Sequence, residues 1–301
     1  MKVAIVLNRS AGALSRMPAD TAAAAIGAIF AGAGAEVGVD IATATTCRAA
    51  IARAAASDAD AVVVGGGDGT VATAVNLLVP VGKPLGVLPL GTMNLLAREL
   101  GTPPGLTAAA RAVAHGRPRA IDVAEVNGEL FLNHSALGIY PAMVQERERQ
   151  RVLHGLGKWP AMALAAVKAL HRLPVLDVAI DLGEGPQRVR TPVLVVSNNP
   201  YAEGYGPVLR RATLDGGRLG VYVARHRSGW AMLRLMTRLM LGTWQEDEEL
   251  VRLEATGLTV HSRRRRLRIA NDGEIRRPAP PLVYRIRPRA LRILQPMTNA
   301  S

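Results

Sequence analysis

Residues 61–70 read Ala61-Val62-Val63-Val64-Gly65-Gly66-Gly67-Asp68-Gly69-Thr70. Four apolar residues in a row, without alternation, predict a strand over Ala61–Val64 that is buried on both faces. The glycines that follow predict a tight turn into a helix running from about Thr70 to Leu78. Glycine has no Cβ, so backbone there comes close to a phosphate, and the N–H groups of a helix start supply donors and positive potential. Thr70 is suited to cap that helix and to hydrogen-bond an oxyanion. Asp68 would repel a bare phosphate, so an acid at this position points to Mg²⁺ or to water ordered around it. Gly66, Gly67, Asp68, Gly69 and Thr70 are therefore candidate cofactor-binding residues.

The same strand–turn–helix unit recurs on both sides of this stretch. Val3–Leu7 predicts a strand that ends in Asn8-Arg9-Ser10-Ala11-Gly12, and Ala22–Phe30 predicts a helix. Val37–Ile41 predicts a strand and Arg48–Ala56 a helix. Leu85–Leu88 predicts a further strand, followed by Pro89-Leu90-Gly91-Thr92-Met93-Asn94 and a helix near Asn94–Leu100. Regular alternation of this kind predicts a doubly wound α/β domain with a mostly parallel sheet and helices on both faces. In such sheets ligands sit beyond the carboxyl ends of the strands. Gly91 and Thr92 then form a second wall of one phosphate site, and Asn8–Gly12 a third loop on the same edge.

After about residue 120 the pattern changes. Short runs at Ile121–Val126, Leu130–Asn133, Val175–Asp181, Arg188–Val196, Arg218–Val223, Gly257–Val260, Arg266–Ala270 and Leu282–Ile286 are separated by turn signals such as Asn127-Gly128 and Asn271-Asp272-Gly273. That spacing predicts antiparallel hairpins in a sandwich-like domain. Helical stretches at Ala161–Leu173 and Trp230–Leu241 interrupt it. The expected organisation is an α/β nucleotide-binding domain over 1–120 and a β-rich domain over 121–301. The last residues are expected to pack back on the first domain, with the active site in a cleft between the two.

Composition narrows the function classes. Of 301 residues, 49% are hydrophobic and 20% charged, which excludes a disordered or collagen-like chain. The longest stretch without a charged residue, Leu130–Gln145, falls short of the ~20 apolar residues of a membrane-crossing helix. The apolar run after Lys2 stops at Leu7, too early for a secretory signal. Cys47 is the single cysteine, so no internal disulfide forms, as suits a reducing cytoplasm. Basic residues outnumber acidic ones 37 to 24, and the surplus is uneven: residues 1–120 hold 10 and 7, the remainder 27 and 17. An arginine-rich second half suits a polyanionic surface, anionic lipid or nucleic acid, or simply decorates solvated faces. No P-loop, dinucleotide fingerprint, protein-kinase or hydrolase motif is present, and the six histidines lack metal-ligand spacing.

Taken together, G-G-G-D-G-T at 65–70 and P-L-G-T-M-N at 89–94 resemble the catalytic domain of the diacylglycerol kinase and sphingoid-base kinase family, in particular its bacterial lipid kinases. Further blocks extend the resemblance over nearly the whole chain. They are Ile121-Asp122-Val123 with Asn127-Gly128, Phe131-Leu132-Asn133 with Gly138, Asn198-Asn199-Pro200 with Gly204, Leu214–Leu219, and Asn271-Asp272-Gly273-Glu274. The resemblance implies a two-domain kinase that uses ATP and Mg²⁺ to phosphorylate the hydroxyl of diacylglycerol or a related lipid alcohol. It implies that Asn8, Arg9, Ser10, Ala11, Gly12, Thr43, Gly91 and Thr92 join the 66–70 loop in holding ATP. It assigns Asp68, Glu274 and Asp272 to catalysis, with Glu274 as proton acceptor and Asp272 orienting or replacing it. It also implies a metal site at Asp215, with backbone carbonyls from Thr213 and Arg218. Two departures stand out: Ala72 and Thr73 replace a common N-E pair, and Gly216 stands where a second acid is usual.

A lipid kinase must reach its substrate. Trp230–Trp244 carries Leu233, Leu235, Met236, Leu239, Met240 and Leu241 with Arg234 and Arg238, a composition suited either to an interfacial helix or to a core-facing one. Arg147, Arg149, Arg151, Lys158 and Trp159 form a second basic-aromatic stretch. The expected partners are a lipid substrate and an anionic membrane surface, from the cytoplasmic side, with no nucleic acid and with homo-oligomerisation left open. Two other readings stand beside this one. A nicotinamide-dinucleotide kinase shares G-G-D-G-T, but P-L-G-T-M-N and the late D-G-E speak against it. A non-catalytic nucleic-acid binder would use Arg263–Arg266, yet an alternating strand points only half of these each way, and aromatic residues are scarce.

Overall fold

A computed structural model describes residues 1–12, 14, 18–145, 175–202, 209–226 and 228–297. These divide into two compact units: Met1–Val123 with Pro288 onward, and Ala124–Arg287. The expected helix at Ala161–Leu173, the basic-aromatic stretch 147–159 and Gly204 lie outside the described residues.

In the first unit strands and helices alternate as β1 (Lys2–Asn8), α1 (Ala19–Gly32), β2 (Glu36–Ala42), α2 (Cys47–Ala56), β3 (Ala61–Gly66), α3 (Asp68–Leu78), β4 (Leu85–Pro89), α4 (Leu95–Glu99) and α5 (Leu106–Ala114). The strands run parallel in the order β2-β1-β3-β4, and the end of the chain's last strand adds beside β4, with Ile293 opposite Leu85. All six residues of β3 are buried, as a central strand covered by helices on both faces requires. One face packs on α1 and α5, where Ala22, Ile26 and Phe30 recur at helical spacing against Ile5, Val63 and Val113. The parallel α/β expectation holds.

Within the second unit the described strands pair antiparallel: β5 (Arg117–Val126, of which Ala124 onward belongs to this unit), β6 (Glu129–Phe131), β7 (His134–Gly138), β8 (Leu176–Asp181), β9 (Gln187–Thr191), β10 (Val193–Asn198), β11 (Leu219–Ala224), α6 (Gly229–Leu241), β12 (Leu250–Ala255), β13 (Gly257–His261), β14 (Ile269–Asn271), β15 (Glu274–Arg276) and β16 (Leu282–Gln295, of which the part up to Arg287 belongs to this unit). One sheet has the order β12-β11-β10-β7-β14-β15; in the other, β16, β13, β8 and β9 are neighbours. Leu137, Val196 and Val221 of the first sheet share one core with Val178, Val260 and Tyr284 of the second, which makes the expected sandwich. The Ser135 and Tyr284 hydroxyls hydrogen-bond inside it at 3.1 Å. Burial pushes the Tyr284 phenol well above its ordinary pKa.

Four details differ from the sequence reading. Helix α3 begins at Asp68, with Gly67 in extended backbone as its N-cap and no side-chain cap bond. Thr70 is therefore inside the first turn and does not cap. The run Arg188–Val196 is two strands, β9 and β10, because Pro192 between them has no N–H for a ladder and the chain changes sheets there. Arg263–Arg266 lie in an exposed connection ahead of β14 and not in a strand, so all four reach solvent. Like charges stacked in one ladder would repel. Strands β7, β12 and β15 and helix α5 went unforeseen; β12 is a half-exposed sheet edge with little apolar alternation.

Candidate functional site

At the carboxyl edge of β1, β3 and β4 the loops tie to one another. Asn8 Nδ2 donates to Thr70 Oγ1 at 3.1 Å, which joins the end of β1 to the first turn of α3. Asn8 Oδ1 accepts from the Ser10 N–H at 3.0 Å, and Ser10 Oγ accepts from the Ala44 N–H at 3.2 Å, beside Thr43. The Thr43 hydroxyl pairs with those of Thr45 and Thr46 at 2.9 and 3.1 Å. The two glycine turns touch directly: a Cβ on Gly91 would lie 2.5 Å from the Gly67 Cα. Gly91 is thus required by the backbone of Gly67 before any ligand is considered, whereas a Cβ on Gly67 would be only tight, 3.3 Å from the Gly91 Cα.

Asp68 fastens the same two turns. Its Oδ2 accepts from the Asn94 N–H at 3.0 Å and its Oδ1 from the Leu95 N–H at 2.7 Å. Asp68 therefore satisfies the orphan donors at the start of α4, a task Asn94 cannot perform for itself. Asn94 sits at φ 48°, and its amide oxygen and nitrogen bond the Gly91 N–H and C=O instead. An ionised carboxylate has about four acceptor positions, so two remain on Asp68 for a cation or its water. The structure brings Asn8, Ser10, Thr43, Gly67, Asp68, Thr70 and Gly91 together on one edge of one sheet.

In the second unit, Asn271-Asp272-Gly273-Glu274 is a two-residue hairpin turn. Asn271 pairs with Glu274, and Asp272 and Gly273 take φ 47° and 84°. The two acids differ sharply in surroundings. Both Asp272 oxygens are occupied: Oδ2 accepts from Leu132 N–H at 2.7 Å, and Oδ1 from Asn133 and His134 N–H at 2.8 and 3.2 Å. Burial raises the pKa of its carboxyl, against the opposing pull of these three donors and of Arg211. Glu274 is exposed and pairs with Arg276 at 2.6 Å.

Sequence reasoning missed Arg211, His134 and Tyr201. Buried Arg211 donates to the Leu132 carbonyl and, at 3.2 Å, to that of Asn198, so the segment clamped by Asp272 is also held from its other side. His134 Nδ1 lies 3.2 Å from the Tyr201 hydroxyl. Burial, with Arg211 adding, pushes the pKa of His134 down to about 4, so its ring is neutral. Among so many arginines Arg211 carries no signal, and the lone histidines carry none either.

At the expected metal site two of the groups are already engaged. The Thr213 hydroxyl hydrogen-bonds the Asp215 carboxylate, and the Arg218 carbonyl already accepts from the Asn199 N–H at 3.0 Å. A Cβ on Gly216 would lie 2.8 Å from Thr213 Cγ2 and 2.9 Å from Asn199 Oδ1, so a second acid there would require both side chains to shift. Among the described residues, no three His, Cys, Asp or Glu side chains gather as metal ligands.

Residues 2–126 match the family model for the diacylglycerol kinase catalytic domain, and residues 136–295 that for the YegS C-terminal NAD kinase beta sandwich-like domain. A diacylglycerol kinase of Mycobacterium tuberculosis (strain ATCC 25618 / H37Rv) is 31% identical over 241 residues, 77% of this chain and 75% of that one. An uncharacterised protein of Synechocystis sp. is 25% identical over 244 residues; the match covers 78% of this chain and about half of that protein, 54%. In fold, the chain overlays the crystal structure of a diacylglycerol kinase from Bacillus anthracis str. Sterne with a TM-score of 0.71 at 18% identity, covering 98% and 96% of the two chains.

Proposed function

This chain belongs to the diacylglycerol kinase family, and from that premise we propose that it transfers the γ-phosphoryl group of ATP to the hydroxyl of diacylglycerol or a related lipid alcohol. The observation that carries the reading is the loop cluster at the carboxyl edge of β1, β3 and β4, locked by Asp68 and by the Gly67–Gly91 contact. Such a cluster needs no covalent chemistry of its own. Phosphoryl transfer asks mainly for positioning and charge neutralisation, which fixed backbone N–H groups and a helix start provide.

In this reading Asn8–Gly12, Gly66–Thr70, Gly91, Thr92 and Thr43 hold the nucleotide. Mg²⁺ arriving on the phosphates would be held through Asp68, and would neutralise their charge. Glu274 takes the proton from the lipid hydroxyl as its oxygen bonds phosphorus and ADP departs. Glu274 suits this role because it is exposed, whereas Asp272 already spends both oxygens on three backbone donors. Asp272 then acts as a clamp on Leu132–His134. Nothing in this scheme uses Thr213, Asp215 or Arg218.

Membrane contact belongs to the same proposal. Helix α6 leaves Trp230 81% and Met240 64% exposed, with Leu233 and Leu241 also outward, an apolar stripe on a helix that carries two arginines. Trp230→Ser combined with Met240→Ser should weaken sedimentation with phosphatidylglycerol vesicles; unchanged binding would remove α6 from the membrane face.

Incubation of the purified chain with γ-labelled ATP, Mg²⁺ and diacylglycerol in mixed micelles tests the activity. Label is expected in the lipid phase. Label in an added nicotinamide dinucleotide, with none in lipid, would replace this reading by a nucleotide kinase. Tight duplex binding at physiological salt without any transfer would replace it by a nucleic-acid binder.

A further inference from the structure

A strand at the margin of a sheet leaves alternate N–H and C=O groups without a ladder partner, and that row pairs with any strand that fits it. Among the described residues five strands stand at such a margin: β2, β6, β9, β12 and β15. Length and charge close four of them to a second copy of themselves. Strands β6 and β15 are three residues long. Strand β2 carries Glu36 and Asp40 with no base to answer them, and two β9 strands centred on Val189 would set Arg188 opposite Arg190. Strand β12, Leu250-Val251-Arg252-Leu253-Glu254-Ala255, is different. Its register with β11 sets Val251 and Leu253 opposite Val223 and Val221 of the sandwich core. The same register sets Arg252 and Glu254 opposite Tyr222 and Gly220, on the other face. Arg252 and Glu254 are exposed and form no ion pair among the described residues, and Leu253 is 39% exposed.

We propose that β12 pairs antiparallel with β12 of a second copy of this chain, about a two-fold axis at Leu253, so that the two β12-β11-β10-β7-β14-β15 sheets become one. In that register Leu253 faces Leu253, Val251 faces Ala255, and Arg252 of each copy faces Glu254 of the other. The contact is isologous, and its charges answer one another twice. An axis at Arg252 or at Glu254 would instead set like charges face to face, so the same two residues select the register. Six residues a side make an interface well below the ~1,200 Å² of a standard one, and the pair is therefore weak in solution. A two-fold axis normal to the sheet keeps each face on its own side. Helix α6 packs on the Tyr222 face through Met232 and Leu235, so the α6 helices of both copies come to one side, each with Trp230 and Met240 outward. Two apolar stripes then meet one surface, the second as a tethered group. That last step rests on α6 as the membrane contact; the strand pairing does not.

Charge exchange tests the pairing. Sedimentation velocity of the purified chain, carried to high micromolar concentration, should show a reversible monomer–dimer equilibrium. Arg252→Glu sets acid against acid and Glu254→Arg sets base against base, and each should weaken the dimer about tenfold. The double variant Arg252→Glu with Glu254→Arg restores both pairs and should dimerise like the original chain. An equal mixture of the two single variants should form a heterodimer, which also shows that both are folded. A chain that stays monomeric throughout, or a dimer indifferent to the single exchanges, would overturn the proposal, as would a double variant that fails to recover. Sedimentation is read without any lipid transfer, so absence of kinase activity would leave the pairing standing. Flotation with phosphatidylglycerol vesicles tests the shared side. Both single variants should bind about tenfold more weakly than the double variant, although their net charges change in opposite directions. Weaker binding in Arg252→Glu alone would be a plain charge effect and would overturn the shared membrane side.

Discussion

Glu274 and Asp272 are two residues apart, and substitution should separate their roles. Glu274→Gln keeps size and reach but cannot take a proton, so kcat should fall by roughly 10²–10⁴-fold with nucleotide affinity unchanged, as steady-state kinetics and calorimetry would show. Asp272→Asn puts an amide where three backbone N–H groups need acceptors, and should cost about 1–3 kcal/mol of stability in denaturant titration. A stable Asp272→Asn protein with kcat abolished would exchange the two roles. His134 yields a pH prediction. Its folded pKa is about 4, while in the unfolded chain it is ordinary, near 6.5. As pH falls from about 6.5 towards 4, the unfolded chain binds a proton the folded one refuses, and stability drops by up to about 3 kcal/mol; below that window the contribution is constant. His134→Phe should flatten that limb of the stability–pH curve.

At the scale of elements, β7 ends at Gly138 with φ +90°, where a Cβ would lie 2.0 Å from the Pro192 carbonyl oxygen. Gly138→Ala should therefore destabilise by about 3 kcal/mol, seen as a lower midpoint in chemical denaturation, because both the backbone angle and the space forbid it. Elements of this kind mark the limits of sequence reading. The β3–α3 turn was legible because Ala61–Val64 and three glycines leave few alternatives. Strand β7, His134-Ser135-Ala136-Leu137-Gly138, was not, because two of its residues are polar and Ser135 is buried only through its bond to Tyr284, 149 residues away. The loop cluster was legible as a set of turns, but one reason for its glycines was not: Gly91 has no room for a Cβ against the Gly67 backbone. Gly216 signalled a lost acid, and only the positions of Thr213 and Asn199 show that a side chain there would press on both of theirs. Arg211 was invisible, since its role depends on carbonyls at Leu132 and Asn198 that no local pattern announces.

At the scale of the molecule, the arginine surplus sits in the second half of the chain, and among the described residues no helix is long and apolar enough to cross a membrane. The chain's path through its two units matters more. The first unit draws on Met1–Val123 and on residues from Pro288 onward, and β4 gains its outer neighbour only from Ile293. A ribosome therefore delivers the glycine-rich loops early and the strand that completes their sheet late. At about 5–20 residues per second, that unit waits some 10–30 s, unfinished, while the intervening sandwich emerges whole. The usual order of vectorial folding is inverted: the part made first is finished last. Nascent chains stalled after Arg287 has cleared the exit tunnel should show a protease-resistant second unit and a sensitive first one, and release of the final residues should protect both.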